Sequence, residues 1–430
     1  MANKMRYVQV GIGGRARFFY EAIAEKYSDT CELLGFCDIN RSRMEYAVKV
    51  IKEKYNYPEP KLYGIDEFEK MIEEQKPDVV IVTSIDRTHH KYIIKAMEMG
   101  CDVLSEKPMT MDAEKCQAII DAVKRTGRHI RVSFNYRYAP NNSLIRKLIM
   151  DGTIGDVKQV HFEWNLNTSH GADYFRRWHR DKKNSGGLMV HKATHHFDLV
   201  NFWLGTQPKQ VFAYGDLMFY GRENAENRGI TKFYYRTHNS ENAKGDPFAL
   251  VMEGNEGLET LYLGPEKDDG YIRDQSVFGD GISIEDVMSV VVKYQSGATM
   301  SYSLNAFSPI EGFNVAFTGT KGRIEYSVLE GSYVNAGGDK NLEGAMRDKS
   351  IKVLPMFGEP YYVDVPIATG GHGGGDPVLL EDLFSANPPA DPLKRAASYI
   401  DGAMSILTGV AANKSMVTNM PVSIDELVKF

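Results

Sequence analysis

Up to about residue 135 the chain alternates short, predominantly apolar runs with amphipathic stretches. The apolar runs cover residues 7–10, 33–37, 79–83, 103–104 and 130–133, and helical spacing covers residues 17–27, 41–55, 66–74, 89–98 and 112–126. Runs without a polar face predict strands buried on both sides, and their alternation with helices predicts a doubly wound parallel sheet. Asp112 and Gly127 bracket the fifth helix with residues suited to its two ends. After Tyr136 the period changes to two. Residues 157–165, 289–294, 299–304, 314–318 and 323–328 alternate, which predicts strands with one solvated face in a large, mostly antiparallel open sheet. Helices are predicted at 191–203 and 391–410, and the polar, aperiodic residues 222–247 read as a surface insertion or lid. The fold class is therefore α/β in two domains, residues 1–135 and residues 136–430, since 430 residues exceed one ordinary core.

Composition narrows the function. Hydrophobic residues make up 43% and charged residues 25%, as in globular proteins. With 51 basic against 57 acidic residues, the net charge of -6 argues against nucleic acid or an anionic membrane as the main partner. No apolar run approaches the roughly 20 residues of a membrane span, and the start runs straight into a strand without a leader-like segment. A cytoplasmic location is expected. Cys31, Cys37, Cys101 and Cys116 lack a CxxC spacing and are expected to be reduced, buried thiols.

The first strand runs into Gly11-Ile12-Gly13-Gly14-Arg15-Ala16, which opens a helix. In that context Gly11 permits a tight turn, Gly13 lets the backbone approach a pyrophosphate at the helix N-terminus, and Ala16 allows close packing of helix on strand. The second strand ends in Asp38-Ile39, where a carboxylate can accept the hydroxyls of an adenine ribose. The alternative for Asp38 is a cap on the next helix. Asp38 disfavours a 2′-phosphate and points to NAD, although the nearby Arg41 and Arg43 leave room for NADP.

Further along come Ser105-Glu106-Lys107-Pro108 after a strand, Thr83 to His89 after the strand before it, and Phe134-Asn135-Tyr136-Arg137-Tyr138. Then follow Ser185-Gly186-Gly187, a histidine-rich helix through Asp198, and Gly319-Thr320-Lys321-Gly322. This ordered set, spanning nearly the whole chain, resembles the Gfo/Idh/MocA oxidoreductase family. The resemblance implies a Rossmann domain followed by an α/β domain whose open sheet serves a homodimer or homotetramer. It implies hydride transfer between a nicotinamide and a secondary hydroxyl of a sugar, glycoside or cyclitol. Thr83, His89, Glu106 and Lys107 would then lie at the cofactor, with Lys107 reaching the substrate oxygen. Independently of family, a lysine ammonium can stabilise a developing alkoxide or relay its proton.

Six of the eleven histidines lie between positions 161 and 196, and all three tryptophans, Trp164, Trp178 and Trp203, fall within or just after that interval. Aromatics beside hydrogen-bonding groups suit a sugar. Helical spacing places His191, His195 and Asp198 on one face. The family pattern there is GG…D-x-G-x-H-x-x-D, so His195 matches its catalytic histidine, while His191 replaces the first aspartate and Ala193 the glycine. Lys107, His195 and His191 are the candidate catalytic residues, with His195 as acid–base because an ordinary histidine pKa of about 6.5 suits the task. Tyr136, Arg137, Trp178, His179, Lys192, His196 and His372 are the candidate substrate contacts, and Arg180 is a weaker candidate for an anionic group. His191 and His195, with His372 and Asp376, also invite a metal, but the HExxH glutamate is missing and no metal is expected. Two other readings stay open: a redox-neutral glycosidase or lyase that keeps NAD bound and passes through a transient keto-sugar, and a non-catalytic sugar or nucleotide sensor.

Overall fold

In the computed structural model, the described residues are 4–332, 334, 337, 344–365 and 368–430. The first domain contains β1 (Met5–Val10), α1 (Arg17–Glu25), β2 (Cys31–Cys37), α2 (Arg41–Tyr55), β3 (Lys61–Tyr63), α3 (Phe68–Gln75), β4 (Val79–Val82), α4 (His89–Glu98), β5 (Asp102–Ser105), α5 (Ala113–Thr126) and β6 (Ile130–Val132). All neighbouring strands are parallel, in the order β3-β2-β1-β4-β5-β6. Val8, Val10, Val80 and Val82 are fully buried, as expected of strands covered on both faces. The strand order reverses between β1 and β4, which opens a crevice beyond their carboxyl ends. β3 has no apolar run to announce it, because only Leu62 and Tyr63 of its three residues are apolar.

The crossover leads through α6 (Pro140–Met150) into nine strands: β7 (Val157–Asn167), β8 (Pro208–Asp216), β9 (Val287–Tyr294), β10 (Thr299–Ser308), β11 (Gly312–Gly319), β12 (Gly322–Glu330), β13 (Met346–Pro355), β14 (Tyr361–Val363) and β15 (Val422–Ser423). Their order is β14-β13-β12-β11-β7-β10-β9-β8-β15, antiparallel throughout except for the parallel pair β7–β10. In β9, Met288, Val290, Val292 and Tyr294 are buried while Ser289, Val291 and Lys293 face outward. The inner face packs against helices Ala193–Leu204 and Tyr399–Thr418; the outer face is open and carries exposed Tyr214 and Val291.

Three expectations change. The C-terminal helix starts at Tyr399, not 391, because Ser398 caps it: its hydroxyl accepts from Ile400 N and its own N–H donates to Asp401. The histidine helix is two pieces, Leu188–His191 and Ala193–Leu204, meeting at Lys192. The insertion fills residues 217–286 between β8 and β9, and its 259–271 part docks on the first domain instead of lying free. There Asn40 Nδ2 donates to Pro265 O at 2.9 Å, and Arg43 reaches Asp269 at 2.6 Å and Leu261 O at 2.9 Å. All four cysteines are free and buried. Among the described residues no helix is long and apolar enough to cross a membrane.

Candidate active site

A cleft of ≈ 580 Å³ lies beyond the carboxyl ends of β1, β4 and β5, closed on its far side by the second domain. Its first half is built on the glycine turn. Gly11 has φ +86°, and a Cβ there would come within 2.3 Å of Ser84 N, so the close approach of two strand-end loops requires glycine. At Gly13 a Cβ would meet nothing within 4 Å among the described residues, which leaves open space over the turn. Thr83 Oγ1 donates to Gly11 O at 2.6 Å and accepts from Gln9 Nε2 at 3.0 Å, bracing that loop. Gly14 and Arg15 line the cleft, and Arg15 Nε donates to Glu106 at 2.7 Å. Ile12 and Ala16 are buried beneath the turn, outside the cleft. Asp38 accepts from Ile12 N and from Asn40 N (2.7 Å), and burial pushes its pKa up against those bonds. It is not the cap of α2; Asn40 is, accepting from Arg43 N at 3.0 Å. Ile39, 67% exposed, forms the rim. Open space above a helix-opening glycine turn, with a carboxylate at the end of β2, fits a dinucleotide.

The second half is built where β5 delivers Glu106 and Lys107. Arg15 and Lys107 hold the Glu106 carboxyl below the usual range although burial opposes them. Lys107 is half-buried, its Nζ 3.5 Å from His191 O, and desolvation lowers its pKa to about 8 against the pull of Glu106 and Asp86. His89 spans the two loops, with Nδ1 2.9 Å from Pro108 O and Nε2 2.8 Å from Ser84 O, so it braces the site with both ring nitrogens. His191 Nδ1 lies 2.5 Å from Asp86 Oδ2, in the loop after β4. Burial drives Asp86 up and His191 down, so this contact is a hydrogen bond and not a pair of full charges. His179 stacks on Trp178 at 3.6 Å and meets His191 edge-on at 4.1 Å. His195 packs against Tyr136 at 5.1 Å and His372 at 6.1 Å. His372 lies in the glycine segment opening helix Gly371–Phe384, with φ +51° and Nδ1 3.1 Å from Asp376. Lys192, at the break between the two histidine helices, points over the rings of Trp164 (5.2 Å) and Tyr136 (6.0 Å).

Several expected contacts are elsewhere. Arg137 is buried outside the cleft, where Nε and Nη2 grip Asp198 at 2.7 and 2.5 Å and Nη2 reaches Asp401 at 2.9 Å. Asp198 is therefore drawn away from His191 and His195. His196 also lies outside, since one helical step turns it about 100° from His195 toward the sheet. There it stacks on Trp164 at 3.7 Å and bonds Tyr302 OH at 2.6 Å. Trp203 is core, and Arg180 is occupied by the carbonyls of Ser276 (3.2 Å) and Asp280 (2.8 Å). His195 does not keep an ordinary pKa: burial, then Lys107 and Lys192, push it well below, so it is neutral. Among the described residues no three His, Cys, Asp or Glu side chains are grouped to hold a metal.

Sequence reasoning missed Asp86, His170, Asp173, Tyr174, Arg177, Tyr262, Asp269, Tyr271 and Glu330, all of which line the cleft. Two of them carried a signal, Asp86 as the carboxylate within the segment from Thr83 to His89 and His170 as one of the six clustered histidines.

The family model described as "Oxidoreductase family, NAD-binding Rossmann fold" matches residues 5–134, and that of the "C-terminal alpha/beta domain" matches residues 146–424. The YteT protein of Bacillus subtilis, which bears an oxidoreductase name without a substrate, is 35% identical over 436 residues, 97% of each chain. The inositol 2-dehydrogenase of Rhizobium meliloti is 32% identical over 136 residues, 32% of this chain and 39% of that one. A glycosyl hydrolase family 109 protein of Akkermansia muciniphila is 24% identical over 99% of this chain and 84% of its own. Among solved structures, the aldose-aldose oxidoreductase of Caulobacter crescentus shares the fold with a TM-score of 0.62 at 17% identity, covering 98% of this chain and 100% of that one.

Proposed function

The chain belongs to the Gfo/Idh/MocA oxidoreductase family, and from that premise we propose that it moves hydride between a nicotinamide and a secondary hydroxyl of a sugar, glycoside or cyclitol. The observation that carries this reading is Lys107, a half-buried ammonium just beyond the end of β5 with its pKa lowered to about 8 by desolvation, facing His191. When bound, the nicotinamide supplies the carbon that accepts or returns hydride. Lys107 in its neutral form takes the proton of the hydroxyl being oxidised and, as the ammonium, returns it in the reverse direction. Asp86 fixes the His191 ring through Nδ1 and leaves Nε2 for a substrate hydroxyl. His195, neutral beside Tyr136, offers a second uncharged hydrogen-bonding group. Trp178 and Tyr136 present ring faces to the C–H face of a sugar.

NAD is the favoured cofactor. Asp38 repels a 2′-phosphate, and the arginines that would welcome one are taken, Arg43 by Asp269 and Arg41 by Glu45 at 2.8 Å. The open outer face of the nine-stranded sheet supports a homo-oligomer.

The test is turnover of a panel of sugars, glycosides and inositols, following NADH absorbance and product mass. Stoichiometric NADH with a keto product is expected, and Lys107→Ala is expected to lower kcat by about 10²–10⁴-fold. Oxidation should rise with pH through about 8, because only neutral Lys107 accepts the proton, and ketone reduction should fall over the same range. A flat profile would remove Lys107 as the base. The Akkermansia relative, which spans almost the whole chain, favours one second reading: transient oxidation that releases an aglycone and then returns the hydride. Glycoside cleavage without accumulating NADH would select it.

A further inference from the structure

The substrate end of the cleft holds more positive charge than its carboxylates neutralise. Lys107, Arg177 and Lys192 all line it. Around them, Glu106 is taken by Arg15 at 2.7 Å and Asp376 by His372 at 3.1 Å, while burial pushes the Asp86 pKa well up and leaves it hydrogen-bonded to neutral His191 at 2.5 Å. Asp173 receives Arg273 at 2.8 and 2.9 Å with Arg176 at 3.4 Å, and Arg177 stands off at 3.6 Å with its Nε unbonded. Glu330 receives the Tyr136 hydroxyl at 3.2 Å, and burial pushes its pKa up to about 8 against the pull of Lys192, which keeps it protonated at neutral pH. The histidines of the cleft wall, His179, His191 and His195, are held neutral by burial and carry no charge.

Lys192 is the sharpest case. It is 5% exposed, and among the described residues its ammonium has no hydrogen bond or ion pair, lying over the faces of Trp164 and Tyr136 and within the field of Glu330, which is protonated. A desolvated charge without a counter-ion is costly, and aromatic faces offset only part of that cost. Its neighbours belong to β7 and the crossover, not to the glycine turn, so a dinucleotide's phosphates at that turn are not its partner. A neutral sugar would hydrogen-bond the ammonium and leave the charge uncompensated; a carboxylate does both jobs.

We propose that the substrate is a sugar acid whose carboxylate pairs with Lys192 while the hydroxyl to be oxidised faces Lys107. The proposal rests on the oxidoreductase reading above and deepens it. Arg177 adds to the same positive field, which draws an anionic substrate toward the cleft.

The test measures binding apart from turnover. NAD-loaded protein is titrated calorimetrically with D-glucuronate and D-galacturonate, and with their neutral counterparts D-glucose, D-galactose and the two uronamides. The acids are expected to bind at least about 10-fold more tightly than the neutral compounds. Lys192→Met should shrink that ratio by about 10–100-fold, the range of a charge-assisted hydrogen bond, and Lys192→Arg should keep most of it. NAD affinity of each variant reports whether it is folded. Equal binding of acids and neutral sugars, failure of the acids to bind, or an unchanged ratio in Lys192→Met overturns the proposal. Preferential binding of the acids without any nicotinamide reduction would sink the oxidoreductase reading and leave the role of Lys192 standing. NAD-linked oxidation of neutral sugars alone would do the reverse.

Discussion

At position 191 a histidine occupies the place of the family's aspartate, and the carboxylate that serves it comes from the other domain as Asp86. Asp86→Ala is therefore expected to lower kcat by about 10–100-fold, because the His191 ring loses the partner that sets its orientation. Steady-state kinetics at saturating NAD would show it, and an unchanged kcat would remove the pair from the chemistry. This partnership was not legible in the sequence, since the two residues are 105 positions apart. What was legible is local: the glycine turn, Asp38 and the strand end at Lys107 all follow from a few adjacent residues and the element they terminate. His195 and His196 mark the limit of such reading. Adjacent histidines look alike in a sequence, and only the packing of their helix decides that one faces the cleft and the other the sheet. The depressed pKa of His195 likewise depends on burial that no spacing reveals.

At the scale of elements, regular periodicity was a good guide and irregular segments were not. The five helices of the first domain and the five alternating strands of the second follow their patterns, while β3, the insertion and the glycine segment at 370–375 depend on what they touch. The insertion is the informative case. Its 259–271 part carries Tyr262, Asp269 and Tyr271 to the cofactor half of the cleft and ties Asp269 to Arg43 on α2. Under the proposed function, a loop of the second domain thereby takes part in cofactor choice. Asp269→Asn should release the Arg43 guanidinium for a 2′-phosphate and raise the NADP-to-NAD ratio of kcat/KM by about 10-fold, the value of one charge-assisted contact. An unaltered ratio would mean that Asp38 alone excludes NADP.

Across the whole molecule, buried polar and aromatic contacts fasten the crossover and join the two domains. Arg137 on the crossover holds Asp198 of the histidine helix in the hydrophobic interior and reaches the partly exposed Asp401 at the start of the C-terminal helix. Arg137→Met should destabilise the protein by about 3–5 kcal/mol, because it strands the Asp198 carboxylate without its partner. A shifted denaturant midpoint would register this, whereas a change confined to KM would return Arg137 to the substrate. The second domain also reaches back to the first: Phe384 packs on Tyr7 at 5.4 Å and on Tyr27 at 5.7 Å, and its carbonyl accepts from Thr30 Oγ1 at 2.8 Å. The nucleotide-binding half is thus completed by a segment encoded some 350 residues downstream. Such a half cannot be shuffled between proteins as a cassette, for a cut at residue 135 would bare Tyr7 and leave Arg43 without its acidic neighbour.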